Sequence, residues 1–350
     1  MECIEIQAKK YVQNAVVTIE NTELRVVQEK INTSDNVLIA RTNIEEVKDM
    51  EIVEKSKLNI ILDASKVDLF ETCPARYNFR HNHNRTLPLI HKAKALDLGS
   101  LAHEGLATYF NLLAQQSHYS DRMQAALMKI RQLSSDPEQS NSEPEEVSIL
   151  MSAIEQSCDY WRAEDENSLE VLAVEQPFAY TLYEDDSVRI IISGKIDLLV
   201  NFNGIGRNAS YLGMPIDHKT FSRDSVVLRK SNQFINYCNA VTSNYLVVNR
   251  IGLQKTLKAE DKFKRIPLSY DPVYIADWKA NLTKMILNEY LICVAEDSWP
   301  EKPTSCNKFN RLCEYYSICD SSGQDAKDFK LESNYIIADV WDVTKGMGVE

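Results

Sequence analysis

The chain has 350 residues, of which 44% are hydrophobic and 26% are charged, and its formal net charge is −12 at neutral pH. This composition supplies enough apolar material for a sizeable core. No apolar run approaches the roughly 20 residues that a membrane-spanning helix needs. We therefore expect a soluble protein built as one elaborated domain, or as one domain with an extension.

The apolar pattern changes along the chain. It alternates as in β-strands at first, becomes helical from about residue 63, with Ser65 as a candidate N-cap, and returns to strands near residue 170. The predicted parts are a β-rich N-terminal extension of unknown role at 1–62, a helical part at 63–165 with a polar linker near 134–146, a sheet core at 170–265, a helix and cysteine-rich loop at 271–320, and a tail at 321–350.

Two neighbouring strand patterns carry acidic residues. Asp197 lies in a β-branched segment, and Asp217 and Lys219 lie in the next one, after a turn that predicts a hairpin. Because side chains alternate across a strand, Asp217 and Lys219 face one side and His218 faces the other. Two carboxylates and an ammonium group so placed can hold a hard divalent cation beside a lysine. This is the minimum set for metal-assisted hydrolysis of a phosphate ester.

An isolated Asp-x-Lys pair is usually two solvated charges, so the neighbouring segments decide its interpretation. Glu175 lies in an upstream strand pattern, and Gln233 and Tyr237 are four residues apart, on one face of a downstream helix. His103 lies in an apolar helix pattern, where a hydrogen-bonded core residue is the commoner use of histidine. The argument therefore rests on the ordered set of residues.

This ordered set resembles the RecB-like branch of the PD-(D/E)XK nuclease superfamily over roughly residues 62–320. The resemblance implies an α/β fold with a restriction-endonuclease-like core, in which helices flank a mixed central sheet, with a helical insertion and a cysteine-rich closing loop. It also implies a Mg²⁺ or Mn²⁺ ion held by His103, Asp197, Asp217 and the main-chain carbonyl of His218. The implied catalytic residues are Asp197, Asp217, Lys219, Glu175, Gln233 and Tyr237, of which Glu175 matches least well.

Cysteine spacing gives a second signal. Three of the eight cysteines crowd together as Cys306, Cys313 and Cys319, and Cys73 precedes the sheet core. The N-terminus lacks a secretory pattern, so we expect a cytoplasmic protein in which clustered thiols bind metal. The arrangement resembles the iron–sulfur staple of CRISPR-adaptation, AddB-type and phage-encoded nucleases of the same branch. Four thiolates suit a [4Fe–4S] cluster, and tetrahedral zinc is the lesser alternative.

The acidic charge is confined to one stretch. Residues 134–187 contain 15 acidic residues and a single arginine, whereas residues 219–265 contain ten basic residues and three acidic ones. Nucleic acid responds to local potential and not to the chain average. Arg223, Arg229 and Lys230 are therefore predicted DNA contacts, although a solvated surface explains such charges equally well.

Together these observations predict a metal-dependent exonuclease or endonuclease that hydrolyses phosphodiester bonds of single-stranded or end-containing DNA. Its expected partners belong to recombination, repair, replication or CRISPR adaptation. Residue types alone leave RNA open as a substrate. Two alternatives remain: a non-catalytic DNA-binding or scaffold subunit stapled by an iron–sulfur cluster, and a zinc-bound interaction protein in which the acidic strands are coincidental.

Overall fold

The structure is a computed structural model that describes five stretches of the chain: residues 57–88, 94–203, 210–222, 229–308 and 311–338. Two compact units are distinguished, a small one formed by residues 1–60 and 183–189 and a large one formed by residues 61–182 and 190–350. Because the described residues begin at 57, most of the β-rich extension predicted at 1–62 lies outside them. The candidate site belongs wholly to the large unit.

The described part of the chain contains eleven α-helices. The α-helices are α1 (Ala64–Thr72), α2 (Pro74–Tyr77), α3 (Lys94–Ala114), α4 (Tyr119–Ser134), α5 (Pro144–Ser168), α6 (Asn232–Ala240), α7 (Ala259–Lys262), α8 (Pro272–Met285), α9 (Leu291–Glu296), α10 (Tyr316–Cys319) and α11 (Gln324–Asn334). Single π-helical turns follow α2 and α8, at Asn78–Asn82 and Ile286–Tyr290. None of the described helices combines the length and apolar character needed to cross a bilayer.

The described strands are β1 (Leu58–Leu62), β2 (Arg85–Thr86), β3 (Leu169–Glu184), β4 (Val188–Asn203), β5 (Ser210–Phe221), β6 (Tyr245–Gly252), β7 (Phe263–Ser269), β8 (Asn307–Lys308), β9 (Arg311–Leu312) and β10 (Ile336–Ile337). The main sheet has the order β1-β4-β5-β6-β7, and β3 also pairs with β4. Strands β4 and β5 are antiparallel, whereas β5 and β6 are parallel and are connected through α6. The prediction of a mixed central sheet flanked by helices is confirmed.

Capping residues explain where several helices begin. The side chain of Asp63 accepts a hydrogen bond from the main-chain nitrogen of Lys66 at 2.9 Å, so Asp63 is the N-cap of α1 and the prediction of Ser65 was wrong. Helix α5 begins with a capping box between Glu143 and Glu146, with Pro144 at its first turn. The chain before it is anchored, because the buried carboxylate of Asp97 accepts hydrogen bonds from residues 140–142.

Each face of the sheet packs against helices. On one face, apolar residues of β4 to β7 contact α3, α4 and α5, with Leu106, Ile130, Leu150 and Leu198 fully buried. On the other face, Ile235 of α6 packs with residues of β4, β6 and α8. Burial of such side chains from both sides stabilises the sheet by about 1.5–3 kcal/mol for each large apolar residue. The sheet is therefore a rigid support for polar groups on β4 and β5.

Long-range contacts bring the C-terminal segment to the first helices. Arg76 forms an ion pair with Glu314 at 3.1 Å, and the Tyr315 hydroxyl donates to the main-chain carbonyl of Arg85 at 2.6 Å. Strand β10 pairs antiparallel with β2, so residues predicted to be a tail form α11 and a short strand. These contacts place the late cysteines in the same region as α1 and α2.

Candidate functional site

Strands β4 and β5 bring the two predicted aspartates together. Leu198 pairs with Ile216, and Asp197 and Asp217 adjoin this pair on their strands. A carboxylate oxygen of Asp197 accepts a hydrogen bond from the main-chain nitrogen of His218 at 2.8 Å. Asp197 is only 6% exposed and Asp217 is fully buried. Two buried carboxylates this close repel each other unless a cation or a proton lies between them.

Helix α3 and strand β3 add two further ligand groups. Nδ1 of His103 lies 3.4 Å from a carboxylate oxygen of Asp197. Ligand atoms of His103, Glu175 and Asp197 all lie within 4.8 Å of one another, so these three side chains could hold a metal ion. Glu175 was predicted as a catalytic residue and not as a ligand, and the structure places it in the ligand group. An imidazole with carboxylate oxygens is a donor set that suits Mn²⁺ at least as well as Mg²⁺.

The backbone of Glu175 supports a special role for this residue. Its φ of 52° lies in the left-handed region, which a non-glycine residue rarely adopts inside a strand. Such conformations cost free energy and concentrate at functional sites. The carboxylate of Glu175 also forms an ion pair with Lys195, which is two residues before Asp197 on the same face of β4.

Electrostatic interactions shift the pKa values of the site in opposite directions. Burial alone would lower the pKa of His103, but the hydrogen bond and the charge of Asp197 raise it. Burial likewise opposes ionisation of Asp197, yet His103 holds its pKa below the ordinary value. Burial raises the pKa of Asp217 to about 7, against the influence of Lys219. The surroundings of these three groups therefore stabilise a positive charge that lies between them.

A chain of hydrogen bonds positions the predicted lysine. The Lys219 ammonium donates to Asp217 at 2.9 Å and to the side-chain carbonyl of Gln233 at 3.1 Å. The amide nitrogen of Gln233 donates to the Tyr237 hydroxyl at 2.8 Å, and this hydroxyl donates to the main-chain carbonyl of Lys195 at 2.7 Å. Gln233 and Tyr237 share one face of α6, as predicted from their spacing. The lysine is thereby fixed between β5 and α6.

His218 is part of the packing beneath the site. Its ring stacks on Phe110 of α3 with centroids 5.4 Å apart, and Nδ1 lies 3.0 Å from the side-chain nitrogen of Asn249 on β6. Burial lowers the pKa of His218 to about 3, so the ring is neutral. The side chain therefore faces away from Lys219. Its main-chain N–H points to Asp197. Because the N–H and the carbonyl of a strand residue point to the same edge of the strand, the His218 carbonyl also points to the edge that faces Asp197.

The four cysteines predicted as cluster ligands lie in one region. Burial raises the pKa of Cys319 to about 12, and the negative charges of Glu301, Cys73, Cys313 and Cys306 add to this shift. The other three thiols are therefore within electrostatic reach of Cys319. Within the described part of the chain, no three of the four thiols lie within 4.8 Å of one another.

The predicted DNA contacts are described only in part. Arg223 lies outside the described residues. Arg229 is exposed, and its guanidinium lies 5.6 Å from the ring centroids of both Tyr270 and Tyr274. Lys230 is exposed beside it, just before α6. Both cations thus lie near the end of α6 that carries Gln233.

The sequence matches the model of one protein superfamily over most of its length. A model of the PD-(D/E)XK nuclease superfamily matches residues 62–320, which is more than half of the chain. The chain belongs to this superfamily. The matched range contains every ligand and lysine candidate described above, and the mixed sheet agrees with membership of the PD-(D/E)XK nucleases.

Solved structures are similar only at a distance. A protein from Eubacterium rectale described as a candidate exonuclease is 9% identical, with a TM-score of 0.43, and the match covers 83% of this chain and 94% of that one. The protein SSO0001 is 14% identical, with a TM-score of 0.24 over 41% of this chain and 61% of that one. No curated protein matches the sequence. The family assignment of this PD-(D/E)XK protein therefore rests on the superfamily match.

Two site residues of this PD-(D/E)XK protein were missed in the sequence. Lys195 contacts Glu175 and offers its carbonyl to Tyr237. Its position two residues before Asp197 was a usable signal, because alternation along a strand places both on one face. Asn249, which fixes the His218 ring, gave no comparable signal, because its role depends on the parallel pairing of β5 with β6.

Proposed function

We propose that the protein is a metal-dependent nuclease that hydrolyses phosphodiester bonds in DNA, at single strands or free ends. The observation that carries this proposal is the position of Lys219, whose ammonium contacts Asp217 and Gln233 beside the ligand group of His103, Glu175 and Asp197. Membership of the PD-(D/E)XK nuclease superfamily supports it. We also propose the RecB-like branch, with a role in recombination, repair, replication or CRISPR adaptation.

The residues present fit a divalent metal ion. His103, Glu175 and Asp197 converge, and Oδ2 of Asp217 is buried without a hydrogen-bond partner among the described residues, so it is a further candidate ligand. The His218 carbonyl is another, because it points to the edge of β5 that faces Asp197. A bound Mg²⁺ or Mn²⁺ would polarise the phosphate and lower the pKa of a water molecule.

The protein side chains position the reacting groups. Lys219 is held where its ammonium can orient a water molecule and stabilise negative charge that develops on the phosphate. Gln233 and Tyr237 act as positioning residues, because they fix Lys219 through successive hydrogen bonds. Arg229 and Lys230, with Arg223 earlier in the chain, are proposed to attract the DNA backbone near α6.

The test is cleavage of end-labelled oligonucleotides, single-stranded and duplex, with Mg²⁺, with Mn²⁺ and with chelator. We expect metal-dependent cleavage of the single strand, and loss of cleavage in Asp217→Ala. The matched control is Asp325→Ala, which removes an exposed carboxylate in α11 and should cleave as the wild type does. Equal cleavage by wild type and Asp217→Ala would identify a contaminant and contradict the proposal, as would equal cleavage in chelator.

We further propose that Cys73, Cys306, Cys313 and Cys319 bind a [4Fe–4S] cluster. The four thiols lie in one region of the fold, and four thiolates suit such a cluster, with tetrahedral zinc as the alternative. Anaerobically purified protein should therefore absorb in the visible range and contain iron, whereas stoichiometric zinc without iron would favour the alternative.

A further inference from the structure

A cavity of about 480 Å³ lies beside Asp197. Its walls are formed by residues of β4 and α6 that belong to the candidate site, and by α1 and the π-helical turn at Asn78–Asn82. Proteins enclose small ligands in cavities of roughly 300–1,000 Å³, so this one has room for about one nucleotide. Because Asp197, Gln233 and Tyr237 line it, the cavity adjoins the candidate metal site.

Three cationic side chains line the described wall of this cavity, and two of them are engaged. Lys195 is paired with Glu175, and the ammonium of Lys66 donates to the main-chain carbonyl of Ile61 at 3.4 Å. The third is Arg80, whose Nη1 is buried and has no hydrogen-bond partner among the described residues. Within the described ranges, Arg80 therefore brings to the cavity a cation that no ion pair engages.

The neighbour of Arg80 does not share this charge. Burial lowers the pKa of His81 to about 4, so its ring is neutral at physiological pH. The acidic lining residue Asp68 accepts a hydrogen bond from Asn232 at 2.7 Å, and Asp63 caps α1. Neither carboxylate forms an ion pair with Arg80 within the described ranges. Nη1 of Arg80 is therefore left without an acceptor by the described part of the chain.

The chemistry of a guanidinium group identifies the ligand class. A buried N–H without a partner is costly, so a ligand that supplies an acceptor gains affinity. The planar fork of arginine matches phosphate oxygens, which can accept two parallel hydrogen bonds. Arg80 lies beside a proposed phosphodiester-cleaving site. The nearest phosphate of a DNA strand bound there, apart from the one that is cut, is the next phosphate along the same DNA strand.

We propose that Arg80 binds a backbone phosphate of a single DNA strand adjacent to the scissile phosphate, and that the cavity holds the nucleotide between the two phosphates. The inference rests on the proposed nuclease function and deepens it, because it assigns a strand-binding subsite to the cavity. Arg80 is a binding residue and takes no part in the chemical step. Removing it should weaken strand binding and leave the rate at saturation nearly unchanged.

Packing holds the segment that carries Arg80 in place. The preceding Tyr77 shares a hydrogen bond with the hydroxyl of Tyr290 at 3.0 Å and stacks on Trp299 with centroids 5.6 Å apart. A π-helical turn is rare and often marks a functional position. The turn is short and braced at its start, so Arg80 is presented from a fixed backbone.

The test measures binding and cleavage of a fluorescent single-stranded oligonucleotide in Arg80→Gln, Arg80→Lys and the control Arg131→Gln, which removes an exposed arginine of α4. We expect Arg80→Gln to raise KM about tenfold with kcat within about twofold. Binding, measured in an Asp217→Ala background, should lose about 0.7 from the slope of log affinity against log salt, the value for one phosphate contact on a single strand. Arg80→Lys should keep the slope, and Arg131→Gln should match the wild type.

A second set of oligonucleotides locates the contact. Each carries one neutral methylphosphonate at a defined position near the cut. At one of these positions, the methylphosphonate should weaken binding of the oligonucleotide to the wild type. The same oligonucleotide should bind Arg80→Gln as tightly as the unmodified strand binds this variant. An unchanged KM and slope in Arg80→Gln, or the absence of any such position in the wild-type protein, would overturn the subsite. If the wild type binds strands and cleaves none, the nuclease proposal fails while the slope still tests Arg80.

Discussion

The candidate site and the cysteine region are assembled from different parts of the chain. The part of the site that holds Lys219 is built by consecutive elements, β4, β5 and α6, and its hydrogen bonds join residues as near in sequence as Asp217 and Lys219. In the cysteine region, Arg76 contacts Glu314 across 238 positions and Arg85 contacts Tyr315 across 230. Changes in the first region should therefore alter activity at nearly constant stability, and changes in the second should alter stability first.

The largest effect is expected from Asp197→Ala. This change removes a carboxylate that contacts His103 and the main chain of His218, so the ligand group loses its central member. Single-turnover cleavage should fall by about 10³-fold or more. Mn²⁺ binding, measured by calorimetry, should weaken in parallel. Retained Mn²⁺ affinity would show that the metal site lies elsewhere, and Asp325→Ala again provides the control.

The next effect is expected in the cysteine region. Cys319→Ser should abolish iron binding and lower the free energy of unfolding by about 2–5 kcal/mol, because a link between distant segments is lost. Metal analysis and thermal unfolding measure the two consequences. Cys293→Ala, at a buried cysteine within the α9 helix, should keep the metal. If Cys319→Ser unfolds like the wild type, the four thiols do not close the fold.

The difference between local and long-range contacts also explains which features could be predicted from the sequence. Strand alternation and helix spacing predicted that Asp217 and Lys219 share a face and that Gln233 and Tyr237 share another, because both rules act over a few residues. The position of Arg80 in a cavity beside Asp197 could not be predicted, because no local pattern reports how α1 and β4 approach each other. The backbone conformation of Glu175 was equally invisible, because nothing in its residue type favours a positive φ.

A smaller effect tests the hydrogen-bond chain within the site. Tyr237→Phe removes the bond to Gln233 and the bond to the Lys195 carbonyl while keeping the ring in place. The loss of orientation of Lys219 should reduce kcat about tenfold, with KM nearly unchanged. Steady-state kinetics measures this division. A rise in KM alone would indicate that Tyr237 contacts DNA and does not position the lysine.

The smallest effect is expected from Arg76→Gln. The ion pair with Glu314 is one-third exposed on both sides, and such pairs contribute about 0–1 kcal/mol. Thermal unfolding should therefore change little, and the metal content should be that of the wild type. A loss as large as that in Cys319→Ser would mean that the ion pair, and not the metal centre, joins the two ends.

The most direct test of the central claim is single-turnover cleavage by Lys219→Ala at saturating Mn²⁺, with Lys284→Ala, an exposed lysine of α8, as the control. We expect Lys219→Ala to fold and to bind Mn²⁺ and the strand as the wild type does, yet to cleave at least about 10²-fold more slowly. Cleavage by Lys219→Ala at the rate of Lys284→Ala would contradict a catalytic role of Lys219.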